Sequence, residues 1–138
     1  ISQVSHAKIM VDEGVHNSED LLNVVRLRAA DLLNIKLMKS GGIYPALTLA
    51  GIAEAAGMPC QVGSMVETAV ATMAGAHLSL ARSIIRSNEL VGPLMFAQDV
   101  APIRYSGDIL EVGQKPGLGV DVDEPLVKEL TRHYSLIE

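Results

Sequence analysis

Asp12 and Glu13 end the apolar run Ala7-Lys8-Ile9-Met10-Val11, and Lys36 stands inside the run Asn34-Ile35-Lys36-Leu37-Met38. Gly63, Ser64 and Met65 follow Pro59-Cys60-Gln61-Val62, and Glu89 lies at the end of the run that begins at Ile84. Carboxylates, a lysine and a loop with free backbone groups are the parts needed to bind a hard cation and move a proton beside it. Asp12 is the better ligand of its pair because it ends the run, and its hard oxygens suit Mg²⁺ or Mn²⁺. The same carboxylates could instead favour the start of a following helix. Lys36 is costly to bury, and a lowered pKa would make it a proton-transfer group near neutral pH; pairing with Asp12 or Glu13 for structural reasons is the competing reading. Lys39, just past the run, reads as solvated. Gly41-Gly42 permits a tight turn and carries no claim to a nucleotide. Cys60 and His77 read as core residues, and His6, His16 and His133 have no partner at zinc-ligand spacing.

These positions must be held by regular elements, and the chain supplies them in repeating order. Ala7–Val11 reads as a buried strand, followed by a helix capped by Asn17 or Ser18 with Glu19 and Asp20 in its first turn and Leu21, Leu22, Val24, Val25 and Leu27 on one face. The pattern recurs as strand 34–38, loop 39–42 and helix 43–56 closed by Gly57. It recurs again as strand 59–63, loop 64–65 and helix 67–82, and Ile84 to Leu90 gives a fourth strand. Parallel neighbours need crossover helices of this kind, so the expected fold is α/β, half of a β/α barrel with its functional groups at the C-terminal strand ends. Val91-Gly92-Pro93 breaks the rhythm. Beyond it the sequence predicts a hairpin around Ser106-Gly107-Asp108, a loop over 115–119 and a helix over 124–133 with Pro125 in its first turn. The expected division is 1–92 for the half-barrel and 93–138 for a separate segment. A complete eight-stranded barrel takes about 250 residues, so the chain reads as the C-terminal part of something larger.

Composition narrows the function further. The 138 residues are 49% apolar with no Trp and one Phe, so core volume must come from aliphatic side chains. Eleven basic against sixteen acidic residues give a net charge of −5, which argues against a nucleic-acid partner. Apolar stretches are interrupted before the roughly 20 residues a membrane span needs, so no membrane partner is expected. One cysteine and no opening signal-type segment make a cytoplasmic location the default.

Taken together, Ile9–Glu13, Asn34–Ile43, Gly63–Glu67, Ala76-His77-Leu78 and Pro116–Gly119 resemble the enolase superfamily, in its muconate lactonizing enzyme subgroup. The resemblance covers nearly the whole chain. It implies the second half of a TIM-like barrel whose C-terminal segment returns to an α+β capping domain. It also implies that Asp12 is the third of three acidic Mg²⁺ (or Mn²⁺) ligands, Lys36 the acid/base lysine on the next strand, and Glu13 a partner beside both. Glu89 corresponds to a catalytic glutamate near the active-site lysine, and Gly63, Ser64 and Met65 to a substrate-binding loop. The other two ligands and the opposing lysine belong to earlier strands, in the missing N-terminal half. The implied chemistry is an enolate formed next to the carboxylate of a small substrate, in a homo-oligomer. Dipeptide epimerases of the subgroup carry Asp-x-Asp on the last strand to bind an ammonium; here Val91 replaces the second acid of Glu89-Leu90-Val91-Gly92-Pro93. The resemblance therefore points first to a muconate cycloisomerase-like isomerase, and next to an N-acylamino acid racemase or dipeptide epimerase. A non-catalytic fragment or interaction module is the reading from outside enzymology.

Overall fold

A computed structural model describes residues 2 and 4–132. Four strands, β1 (Met10–Val11), β2 (Leu32–Ile35), β3 (Cys60–Val62) and β4 (Ile85–Asn88), pair in parallel in the order of the chain. Val11 lies opposite Leu33, Ile35 opposite Val62, and Val62 opposite Asn88. Between them run α1 (Ser18–Leu27), the single turn α2 (Leu37–Ser40), α3 (Ile43–Ala55) and α4 (Ala69–Ala81). A 3₁₀ turn over Gly92–Met95 leads to an antiparallel hairpin, β5 (Tyr105–Ser106) and β6 (Ile109–Leu110), and then to α5 (Glu124–Leu130).

Two helices, α1 and α5, start at a side-chain acceptor, Asn17 and Asp123. Asn17 caps α1 by accepting from the amides of Glu19 and Asp20, and the Asp20 carboxylate accepts from the Asn17 amide in return. Alternation along the strands sends Leu33, Ile35, Cys60, Val62 and Ile85 to one face, where they are buried with Leu21 of α1, Ala46, Leu49, Ala50 and Ala53 of α3, and Ala76 and Leu78 of α4. Small residues on α3 and α4 let both helices lie close to the sheet. Completely burying each Leu or Val in this layer contributes about 1.5–3 kcal/mol. The other face carries Met10, Asp12, Asn34, Lys36, Gln61, Gly63, Ser87 and Glu89, and no helix of the described residues covers it. A Cβ at Gly63 would stand 2.4 Å from Asn34 Oδ1, so any larger residue there would displace the Asn34 amide from Asp12.

Several boundaries differ from expectation, the first strand starting at Met10 rather than Ala7 and the second at Leu32 rather than Asn34. The second strand ends at Ile35 rather than Met38, because the backbone turns into α2 immediately after Lys36. The fourth helix begins at Ala69, because Glu67 spends its carboxylate on the preceding loop. The last helix ends at Leu130; the expected stretch to His133 runs past the described residues. Among the described residues, no helix is long and apolar enough to cross a membrane.

Candidate active site

The ladder between β1 and β2 ends at Val11 and Leu33, so the next residues, Asp12 and Asn34, emerge side by side on the uncovered face. Asn34 Nδ2 donates to Asp12 Oδ2 at 3.0 Å. Lys36 lies two residues further along the same face, and its Nζ is 2.8 Å from Asp12 Oδ2 and 2.7 Å from Glu13 Oε1. The Lys36 side chain is 11% exposed, whereas that of Glu13 is 68% exposed. The lysine is thus sunk into the strand end with two carboxylates over it.

Lys39 is not solvated. The turn α2 folds it back beneath Asp12, leaving its side chain 3% exposed. Its ammonium donates to Asp12 Oδ1 at 3.0 Å, to the Asp12 carbonyl at 2.5 Å and to the Asn34 carbonyl at 3.0 Å. Burial alone would raise the Asp12 carboxyl, but the hydrogen bonds from Lys36, Lys39 and Asn34 outweigh it and hold the group below the ordinary carboxylate range. The bond from Lys36 also lowers Glu13. Asp12 and then Glu13 push Lys36 above the ordinary lysine value, against a smaller opposing effect of burial. The lowered lysine expected from burial is therefore reversed: within these residues Lys36 is an ammonium whose proton is held by its two carboxylate partners.

Glu89 is placed elsewhere. Its Oε2 accepts from the Ser64 amide at 2.8 Å, whereas Lys36 takes its partners from Asp12 and Glu13. Glu67 completes the hold on this loop, accepting from the Ser64 hydroxyl at 3.1 Å, the Met65 amide at 2.6 Å and the Thr72 hydroxyl at 3.2 Å. The loop needs holding, since Val66 has φ of 58°, a left-handed conformation that costs a β-branched residue on the order of 1–3 kcal/mol. The sequence places Glu67 at a helix start rather than in the site, although Ser64-Met65-Val66-Glu67 has the Ser-x-x-Glu spacing of a reciprocal cap. Met38 and Met65 stand exposed near Lys36 and give the site an apolar edge. A separate cavity of about 520 Å³ between α4 and the hairpin reaches Glu89 but not Asp12 or Lys36.

A carboxylate offers about four acceptor positions, and three on Asp12 are taken by Lys36, Lys39 and Asn34. One hard-oxygen position remains, which fits a single ligand to a divalent cation. Among the described residues no three His, Cys, Asp or Glu side chains converge on one point, so the rest of such a site must come from other residues. Cys60 is buried, and His77 joins α4 to the following segment through Nε2 and the Leu118 carbonyl at 3.2 Å.

Comparison with known proteins adds to this geometry. The family described as enolase C-terminal domain-like matches residues 1–126. An N-succinyl-L-Arg/Lys racemase of Bacillus cereus is 49% identical over 129 residues, 94% of this chain and 35% of that protein. Its crystal structure superposes with a TM-score of 0.92 over 95% of this chain and 36% of its own. An L-Ala-D/L-Glu epimerase of Bacillus subtilis is 40% identical over 122 residues, 87% of this chain and 33% of that protein. The muconate lactonizing enzyme of Pseudomonas putida superposes with a TM-score of 0.90 at 34% identity, over 95% of this chain and 37% of its own. The chain spans about a third of the length of these relatives.

Proposed function

Because the chain belongs to the enolase C-terminal domain-like family, whose matched relatives are isomerases, racemases and epimerases, we propose that it is the acid/base half of a racemase acting at the carbon next to the carboxylate of an N-acylated amino acid. The observation that carries the chemistry is the Lys36 ammonium held at the strand end by Asp12 and Glu13. The substrate class is drawn from the 49% identity to the N-succinyl-L-Arg/Lys racemase. It agrees with the pairing of Glu89 and Val91, since an acylated nitrogen carries no ammonium to be met by a second acid.

In this reading Lys36 works on one face of the substrate. As an ammonium it delivers a proton to the α-carbon, and as the neutral amine it removes one from that carbon. Inversion needs a second acid/base group on the opposite face, supplied by residues outside these 138. Asp12 and Glu13 keep Nζ aimed at one point, and Asp12 also serves as one ligand of Mg²⁺ or Mn²⁺. That cation, when bound, offsets the charge that builds on the substrate carboxylate as the α-proton leaves. The loop Gly63-Ser64-Met65, held by Glu67 and Glu89, lines the side of the site where the substrate chain lies. The segment from residue 93 onward belongs with a capping domain of the whole protein, which we expect to be a homo-oligomer.

A muconate cycloisomerase-like activity is the second reading, favoured by the likeness of Glu89-Leu90-Val91-Gly92-Pro93 to that subgroup and by the 0.90 TM-score to the muconate lactonizing enzyme. The complete protein with Mg²⁺ in D₂O, offered an N-succinyl amino acid, a dipeptide and cis,cis-muconate together, separates the readings by proton NMR. We expect α-deuteration of the N-succinyl compound alone. A deuterated lactone with no α-exchange would transfer the assignment to the cycloisomerase, exchange of the dipeptide alone would make it an epimerase, and no turnover of any of the three would remove all these activities.

A further inference from the structure

We infer that Lys39 is a positioning residue for the active site, which sets the orientation of the Asp12 carboxylate by capturing Asp12 Oδ1 and two adjacent backbone carbonyls with one buried ammonium. An ammonium has three donors and no acceptor, and all three are spent here: on Asp12 Oδ1, the Asp12 carbonyl and the Asn34 carbonyl. The two carbonyls lie on neighbouring strands just past the last paired residues, Val11 and Leu33. Lys39 therefore joins β1 to β2 where their own ladder has stopped. Holding Oδ1 beneath the strand ends leaves Oδ2 to face Lys36 and Asn34. A free carboxylate can rotate about χ2 at little cost, so a fixed third contact keeps Oδ2 on Lys36 and Asn34 and holds the one remaining acceptor position, on Oδ1, in a single direction.

The ammonium is an expensive choice for a merely structural link. Its side chain is less exposed than that of Lys36, and burying a charge is repaid only when its hydrogen bonds are satisfied. A plain strand-to-strand link would need the two carbonyls and not the carboxylate. The inference rests on the reading of Asp12 as a metal ligand, and its test is chosen to part the two.

Mn²⁺ binding to the complete protein is measured by the loss of the free-ion electron paramagnetic resonance signal, for wild type, Lys39→Met, Asp12→Asn and the double variant. Loss of an outer hydrogen-bond partner of a ligand weakens metal binding by about 10- to 100-fold, and this is the fall expected for Lys39→Met. The effect should vanish in the Asp12→Asn background, because it acts through that carboxylate. Unchanged or tighter binding, or an equal loss in both backgrounds, overturns the inference. Should Lys39→Met fail to fold, Lys39→Arg decides: it keeps the charge, but its planar fork cannot serve three convergent acceptors, so weakened binding is expected. Wild-type affinity in Lys39→Arg would show that charge alone suffices and overturn the positioning role. If the wild-type protein binds no Mn²⁺, the ligand reading fails by itself. A metal-free crystal structure of a folded Lys39 variant then still decides the positioning, which an unmoved Asp12 side chain would overturn.

Discussion

A lysine and a carboxylate 2.8 Å apart can hold two strand ends together or move a proton, and removing the lysine separates the uses. In Lys36→Ala of the complete protein, Asp12 keeps Lys39 and Asn34 as partners, so the fold should survive. Turnover should drop by about 10²- to 10⁴-fold, the usual worth of a positioned acid or base. Steady-state kinetics beside a melting curve checks this, and near-wild-type turnover would leave Lys36 a structural ion pair. Cys60 makes an independent residue-scale prediction. Its burial pushes the thiol up from 9.0 to about 12, so the folded chain retains a proton that the unfolded chain loses between those values. The resulting stability is fully present below pH 9 and falls as pH rises toward 12. Native protein at pH near 8 should resist iodoacetamide and react once guanidinium is added; equal rates in both states would show that the thiol is accessible. Asp12, Glu13 and Lys36 were visible in the sequence because each interrupts an apolar run. Lys39 is not legible in the same way because its partners include two backbone carbonyls, and nothing in a sequence says where a carbonyl points until the turn after Lys36 is known.

At the scale of elements, glycines test the packing from two directions. Gly51 lies inside α3 with open space around the position of a Cβ, so Gly51→Ala should stabilise the protein by roughly 0.5–1 kcal/mol. Gly92 begins the 3₁₀ turn, where a Cβ would meet the Glu67 backbone oxygen at 2.3 Å and its nitrogen at 2.8 Å. Gly92→Ala should therefore cost about 1–3 kcal/mol or more, because a backbone atom cannot swing aside as a side-chain tip can. Denaturant titration of the two variants should show shifts of opposite sign; matching signs would contradict the described packing. The same scale shows what patterning conveys. The α1 cap at Asn17 and the order of strands and helices were legible, since local acceptors and apolar alternation determine them. The early end of β2 was not, because Leu37 and Met38 continue an apolar run that the backbone nevertheless takes into a helical turn. The late start of α4 was hidden for another reason: Glu67 is a good helix former diverted by the amides of a loop.

The whole molecule carries a surplus of surface. Its 9100 Å² exceeds by nearly a third the roughly 6,900 Å² that a folded monomer of its 14.7 kDa exposes. Part of that surplus is the polar sheet face, and the outer edges of β1 and β4 have no strand beside them among the described residues. Produced alone, the 138-residue chain should self-associate through those edges, whereas the complete protein should give one defined species. Light scattering after size exclusion checks this, and a stable monomer of the isolated chain would show that the edges are adequately protected. The barrel-half architecture was readable at this scale from repetition alone, because each strand-helix unit restates the same spacing. The sequential order β1-β2-β3-β4 also bears on biosynthesis. Each new strand finds one neighbour already synthesised about 25 residues earlier, so the loops to be closed stay short. On a ribosome such a sheet can grow by one margin at a time as the polypeptide emerges, and Asp12, Lys36 and the Ser64 loop come into register in the order in which they are translated.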